Sequence, residues 1–124
     1  MIAVRMGVAA LLVAVMAGCG SSTPTPTTPT TPATPAAVTV TILSAARTLG
    51  VAAYVPNPVM VAVGAKLTWS NTDTTTHDMV SDTGVWDSGR IAGGSQFDFT
   101  FQTKGSFPYH CSLHPGMVGT VVVQ

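Results

Sequence analysis

The sequence predicts an all-β domain, a Greek-key β-sandwich of about seven strands, on two observations. Apolar and polar residues alternate with a period of two in several short runs, the pattern of half-buried strands. Turn-forming residues separate those runs at regular intervals. Val38, Val40 and Ile42 alternate with Thr39 and Thr41 in the first run. Residues 58–63 form the next expected strand. Leu67 and Trp69 then alternate with Lys66 and Thr68. A strand is expected at 77–81, and the clearest alternation sets Phe97, Phe99 and Phe101 against Gln96, Asp98, Thr100 and Gln102. The last two expected strands are 107–111 and 118–123, the latter Val-rich and expected to be buried on both faces. Turn signals lie at Pro56-Asn57-Pro58, Gly64, Asn71-Thr72-Asp73, Asp82-Thr83-Gly84, Gly93-Gly94 and Lys104-Gly105. Only residues 44–53, SAARTLGVAA, lack a clear period, and a loop with a short turn of helix is expected there.

The first eighteen residues, MIAVRMGVAALLVAVMAG, place Arg5 before an apolar run, the form of a secretory signal. They end in Met16-Ala17-Gly18-Cys19, which resembles a bacterial lipoprotein signal in which the cysteine becomes the lipidated N-terminus. Residues 1–18 are therefore expected to be a lipoprotein signal peptide. Residues 19–37 are expected to be a lipid anchor on Cys19 followed by a Thr/Pro-rich linker. The stretch from Ser21 to Ala37, SSTPTPTTPTTPATPAA, has almost no apolar surface with which to offset its ordering entropy. At about 3.1 Å per residue in polyproline II it would reach roughly 50 Å from a membrane.

Residues 38–124 form the expected domain, 87 residues long. A chain that short buries only somewhat over 60% of its unfolded surface, so a metal or another staple would help it. It carries four Lys or Arg against five Asp and no Glu, a net charge of −1. With no basic patch, nucleic acid is excluded as a partner.

The chemistry concentrates in one short loop. The chain holds three histidines and two cysteines, and YHCSLHPGM at 109–117 contains two of the former and one of the latter. An exported protein normally pairs its cysteines. With Cys19 taken by lipid, Cys111 has no partner, and metal ligation would explain it. Cys111, His114 and Met117 form a Cys-x-x-His-x-x-Met loop between two expected strands. A thiolate, an imidazole and a thioether together suit copper. Two His and one Cys in a trigonal plane with a long axial Met make a blue-copper electron-transfer site. The loop lacks a second histidine, and His77 is the candidate, 34 residues earlier at the start of an expected strand.

From about Tyr54 onward the chain resembles the cupredoxin family of plastocyanin, pseudoazurin and amicyanin. The residues that carry the likeness are PVMVAVGAKLTWSN, then HDMVSDTG from His77, then FTFQTKGSFPYHCSLHPGMVGTVVV. The resemblance implies His77, Cys111, His114 and Met117 as ligands of one copper per chain, cycling between Cu+ and Cu2+. It implies an electron carrier rather than an enzyme, a monomer that meets its redox partner proteins transiently. It also implies that His114 sits at an apolar surface, here expected from Pro115, Gly116, Met117 and Val118 with Pro56 and Pro58. Two positions depart from the family pattern. Asp78 stands where Asn is frequent, and its carboxylate should favour Cu(II). Leu113 replaces a Pro, so it keeps an N–H that can donate to the thiolate and favour Cu(I).

Other readings of the same residues remain. Storage, delivery or sensing of copper would use several Met or His sites, whereas only Met60, Met79 and Met117 lie beyond the signal. Haem attachment needs Cys-x-x-Cys-His, and structural zinc takes more thiolates or histidines. His110 next to Cys111 raises a copper oxidoreductase with a second site, which would need further histidines. By alternation His110 should point away from Cys111, and Met79 should pack in the core.

Overall fold

The structure, a computed structural model, describes residues 33–124. The expected signal peptide, Cys19 and most of the linker lie outside the described residues. Eight strands form two four-stranded sheets. One contains β1 (Val38–Ile42), β2 (Tyr54–Val55), β4 (Lys66–Asn71) and β6 (Gln96–Thr100), in the order β2-β1-β4-β6. The other contains β3 (Val59–Val61), β5 (Val80–Ser81), β7 (Gly105–His110) and β8 (Val118–Val123), in the order β3-β8-β7-β5. β1 runs parallel to β4 and β3 parallel to β8, and the remaining pairs are antiparallel. The expected sandwich is observed, with the two-residue β2 as a strand that the sequence did not announce.

Alternation explains which face each strand buries. Val40 and Ile42 from β1, Leu67, Trp69 and Asn71 from β4, and Val121 and Val123 from β8 point inward. Trp69 lies at the centre, its ring 5.6 Å from both Trp86 and Tyr109 and 5.7 Å from Phe97. Tyr109 reaches across the cross-strand partner Gly119. A Cβ on Gly119 would fall 2.4 Å from the Tyr109 ring, so the residue under that ring has to be glycine.

Three expectations need correcting. The run 118–123 is not buried on both faces: Gly119, Val121 and Val123 are buried while Val118 is exposed and Val122 half-buried. Antiparallel and parallel neighbours cover its edges, but only one face meets the other sheet. The strand expected at 77–81 is reduced to Val80–Ser81. Its first residues instead make an isolated bridge from His77 to Ile91 and a bond from the Met79 N–H to the Ser88 hydroxyl. The alternation 96–102 ends at Thr100, and Phe101 lies buried just beyond the strand.

Residues 44–53 hold two short 3-10 turns, Ala46–Thr48 and Gly50–Ala53, in line with the expected loop and turn of helix. Their place is set by tertiary contacts. The Asn57 amide donates to the carbonyls of Val51 and Val118, and its oxygen accepts from the Thr120 N–H, clamping this segment to β8.

Candidate metal centre

His77 enters the site after a polar turn that the Asn71 side chain organises. The Asn71 amide donates to the carbonyls of Thr75 and Ile91, and its oxygen accepts the Asp73 N–H. Asn71 is buried, so these bonds satisfy a side chain that water cannot reach. The other residues come from the loop between β7 and β8. There the Cys111 N–H donates to the Met117 carbonyl, and the Met117 N–H to the His114 carbonyl. These bonds close Cys111 to Met117 into a compact turn.

The fold thus brings together residues 34 positions apart. Among the described residues, His77, Cys111 and His114 are the one trio of His, Cys or acidic groups whose ligating atoms gather, all within 4.8 Å. The two histidine Nδ1 atoms are 3.1 Å apart, and the Cys111 sulfur lies 3.8 Å from that of His77 and 3.6 Å from that of His114. A triangle with those sides has an in-plane point about 2.0 Å from each corner, in the range of about 2.0–2.3 Å for nitrogen and sulfur bonds to a first-row cation. The donor set and its spacing therefore fit copper. Met117 is buried in the turn that carries the other two loop residues.

The surrounding groups set the protonation. Burial pushes the Cys111 thiol up, and the Asp78 carboxylate adds to this, while the N–H groups of Asp78 and Leu113 pull toward the thiolate. A metal ion supplies what those two donors alone do not, since a coordinating thiol is deprotonated outright. Burial, together with the neighbouring His77 ring and the Arg47 charge, holds the His114 imidazole below its ordinary value. It is therefore neutral at physiological pH, the form that ligates metals.

Asp78 does something its sequence position did not reveal. Its carboxylate accepts both the Ser112 N–H, at 2.6 Å, and the Ser112 hydroxyl. The residue after His77 is thereby tied to the residue after Cys111. Burial opposes its ionisation, but the two Ser112 bonds outweigh that and keep its carboxyl below the ordinary range. Asp73 belongs to a turn signal in the sequence. Its Oδ2 lies 3.1 Å from His77 Nε2. Burial works against its charge too, yet the bonds from His77 and from the N–H groups of Ala45, Thr74 and Thr75 bring it down to about 2. A carboxylate four residues before a candidate metal histidine was the available signal.

His110 faces outward as alternation implied, with its Nδ1 2.5 Å from Asp82 Oδ1 and 41% of its side chain exposed. It stands apart from the trio, and Met79 is fully buried. The expected apolar surface is altered. Pro115, Gly116, Val118, Pro56 and Pro58 are exposed, but Met117 is buried, and Leu49 and Val51 take its place. Gly50 brings them there: a Cβ on it would sit 3.5 Å from the Gly116 carbonyl oxygen.

A β-sandwich that gathers a thiol and two imidazoles at one end, over a buried methionine, defines a copper-binding protein of the electron-transfer class. The family "Copper binding proteins, plastocyanin/azurin family" matches residues 41–124, and the chain belongs to it. Plastocyanin of Cucumis sativus is 38% identical over 91 residues, which span 60% of this chain and 91% of that protein. Amicyanin of Paracoccus denitrificans is 33% identical over 69 residues, 52% of this chain and 53% of that one. Among solved structures, "Novel Purple Cupredoxin from Nitrosopumilus maritimus" superposes with a TM-score of 0.65 at 29% identity, covering 70% of this chain and 99% of that chain. The protein is a blue-copper electron carrier with one copper as its cofactor.

Proposed function

We propose that His77, Cys111, His114 and Met117 hold that copper, and that the carrier works tethered to a membrane by a lipid on Cys19. The observation that carries the ligand assignment is the triangle of Nδ1, Nδ1 and Sγ, already at metal-binding separations. Met117, buried in the same loop and its only thioether, would complete the donor set as a weak sulfur ligand. Held there, copper would supply one-electron redox chemistry. The protein's part is to keep the donors fixed in both oxidation states, so that little reorganises on transfer. The Asp78–Ser112 bonds and the backbone bonds of the loop serve that end.

Domain organisation follows the sequence: residues 1–18 are a signal peptide, 19–37 the anchor and linker, and 38–124 the copper domain. This makes the protein an exported one, on the periplasmic or extracellular face of a bacterial membrane. Among the described residues no helix is long and apolar enough to cross a membrane. Redox partners dock transiently on the apolar end formed by Leu49, Val51, Pro115, Gly116 and Val118. The single charge within residues 43–58 is Arg47, so a partner with a carboxylate at the rim of its own apolar patch is favoured.

Substitution separates this reading from the alternatives. Cys111→Ser and His77→Ala each abolish the thiolate-to-copper absorption, whereas His110→Ala leaves the absorption and one copper per chain. Loss of a second copper with His110→Ala would instead bring forward the oxidoreductase. Cys19→Ala releases the protein from the membrane fraction; retention there would overturn the lipid anchor.

A further inference from the structure

The two histidines of the site are held differently, and the difference lies in Asp73. His77 is fully buried, with Nδ1 turned to Cys111 and His114 and Nε2 turned to Asp73. Asp73 is itself buried, at 6% exposure. Its Oδ1 accepts the Thr74 N–H, and its Oδ2 lies 3.1 Å from His77 Nε2. The residue is further fixed from behind, by its own N–H on the Asn71 oxygen and by Gly93, where a Cβ would fall 2.6 Å from the Asp73 carbonyl oxygen.

An ionised carboxylate only accepts. The His77 proton therefore has to sit on Nε2, which leaves the Nδ1 lone pair free toward the other two donors. A carboxylate on the far nitrogen of a ligating imidazole also raises the basicity of the near one. A stronger donor, backed by a fixed negative charge, stabilises the higher oxidation state of a bound ion more than the lower. Resting on the copper reading above, we propose that Asp73 is a positioning residue. It fixes the His77 tautomer and shifts the metal's preference toward Cu(II), against the Leu113 N–H that favours Cu(I). His114, half-exposed, has no such carboxylate among its hydrogen-bond partners in the described residues.

The test uses Asp73→Asn, in which an amide oxygen still accepts the Nε2 proton but the charge is gone. Two measurements are made on the full chain. In the metal-free protein, nitrogen–proton NMR of the imidazoles should show His77 as the Nε2–H tautomer, with that proton protected from exchange and shifted downfield. Asp73→Asn should keep the tautomer and lose part of the downfield shift. With copper bound, outer-sphere partners of this kind change metal affinity about 10–100-fold. The lost charge should weaken Cu(II) more than Cu(I), so Asp73→Asn should lower the Cu(II)-to-Cu(I) affinity ratio, by up to about tenfold, raising the potential by about 59 mV per factor of ten. The thiolate band should persist.

An Nδ1–H tautomer for His77 in the metal-free wild type would overturn the proposal, even if Asp73→Asn failed to fold. So would an affinity ratio unchanged within about twofold. Absence of the thiolate band from the wild type would sink the copper reading instead, and would leave the tautomer result standing.

Discussion

Replacing Asp78 by alanine tests the link between the two halves of the copper site. The carboxylate holds two donors of one residue, the Ser112 N–H and hydroxyl, across 34 residues of sequence. Hydrogen bonds to a charged group contribute about 1.5–3 kcal/mol each when buried. Ser112 is exposed, so water replaces part of what is lost and the two bonds together should cost about 2–3 kcal/mol. For a domain of this size each kcal/mol moves the midpoint by about 4–8 °C, giving a drop of about 10–20 °C. The assay is urea and thermal unfolding of the metal-free protein, because bound copper adds its own stabilisation. Ser112→Ala, which keeps the N–H bond, should cost about 1 kcal/mol, and a double-mutant cycle with Asp78→Ala should show a coupling of about that size. Asp78→Asn, which retains one oxygen for the Ser112 N–H, should recover most of the loss. Additive single substitutions, or an Asp78→Ala protein within about 0.5 kcal/mol of wild type, would refute the reasoning.

Further outcomes follow from the same structure. Gly119→Ala drives a methyl into the Tyr109 ring, which Tyr54, Trp69 and Trp86 surround, and should cost about 3 kcal/mol in urea unfolding; an unchanged midpoint would mean that the ring can slide. Leu113→Pro removes an N–H directed at the Cys111 thiolate and should lower the reduction potential, by about 40 mV for a net bond of about 1 kcal/mol. A potential that stays or rises in voltammetry would count against that bond. Acid should destabilise the metal-free protein in a defined window. Burial notwithstanding, the Ser112 bonds depress Asp78, while Thr68 and Lys66 depress Asp98. Their contribution is present above the ordinary value of 3.8 and is lost as pH falls below it through the depressed folded values. Asp98→Asn should therefore flatten the fall in urea midpoint below pH 4, where Lys66 and Thr68 lose a charged partner.

Much of this was legible in the sequence because its period and its rare residues are local signals. The alternations at 38–42 and 66–69 name the inward residues of β1 and β4 directly. Cys111, His114 and Met117 share one loop, and His77 was the remaining histidine that alternation did not turn outward. What escaped depends on approach between distant segments. Leu49 and Val51 join the apolar end only because Gly50 packs on Gly116 and Asn57 bonds to both sides, and no periodicity announces a 3-10 turn held from outside. Asp73 looks like a turn residue until the chain folds it onto His77, and nothing local ties the Asp78 carboxylate to Ser112, 34 residues away. Val118–Val123 misled because a Val-rich run is the same whether one face or two is covered.

The central claim is tested most directly by titrating copper(II) into the purified protein and recording visible absorption and EPR. One equivalent should bind, with an intense blue or green thiolate-to-copper band and a narrow copper hyperfine splitting. Binding with no such band, or only as an ordinary copper(II) signal, would contradict a site built from Cys111, His77, His114 and Met117.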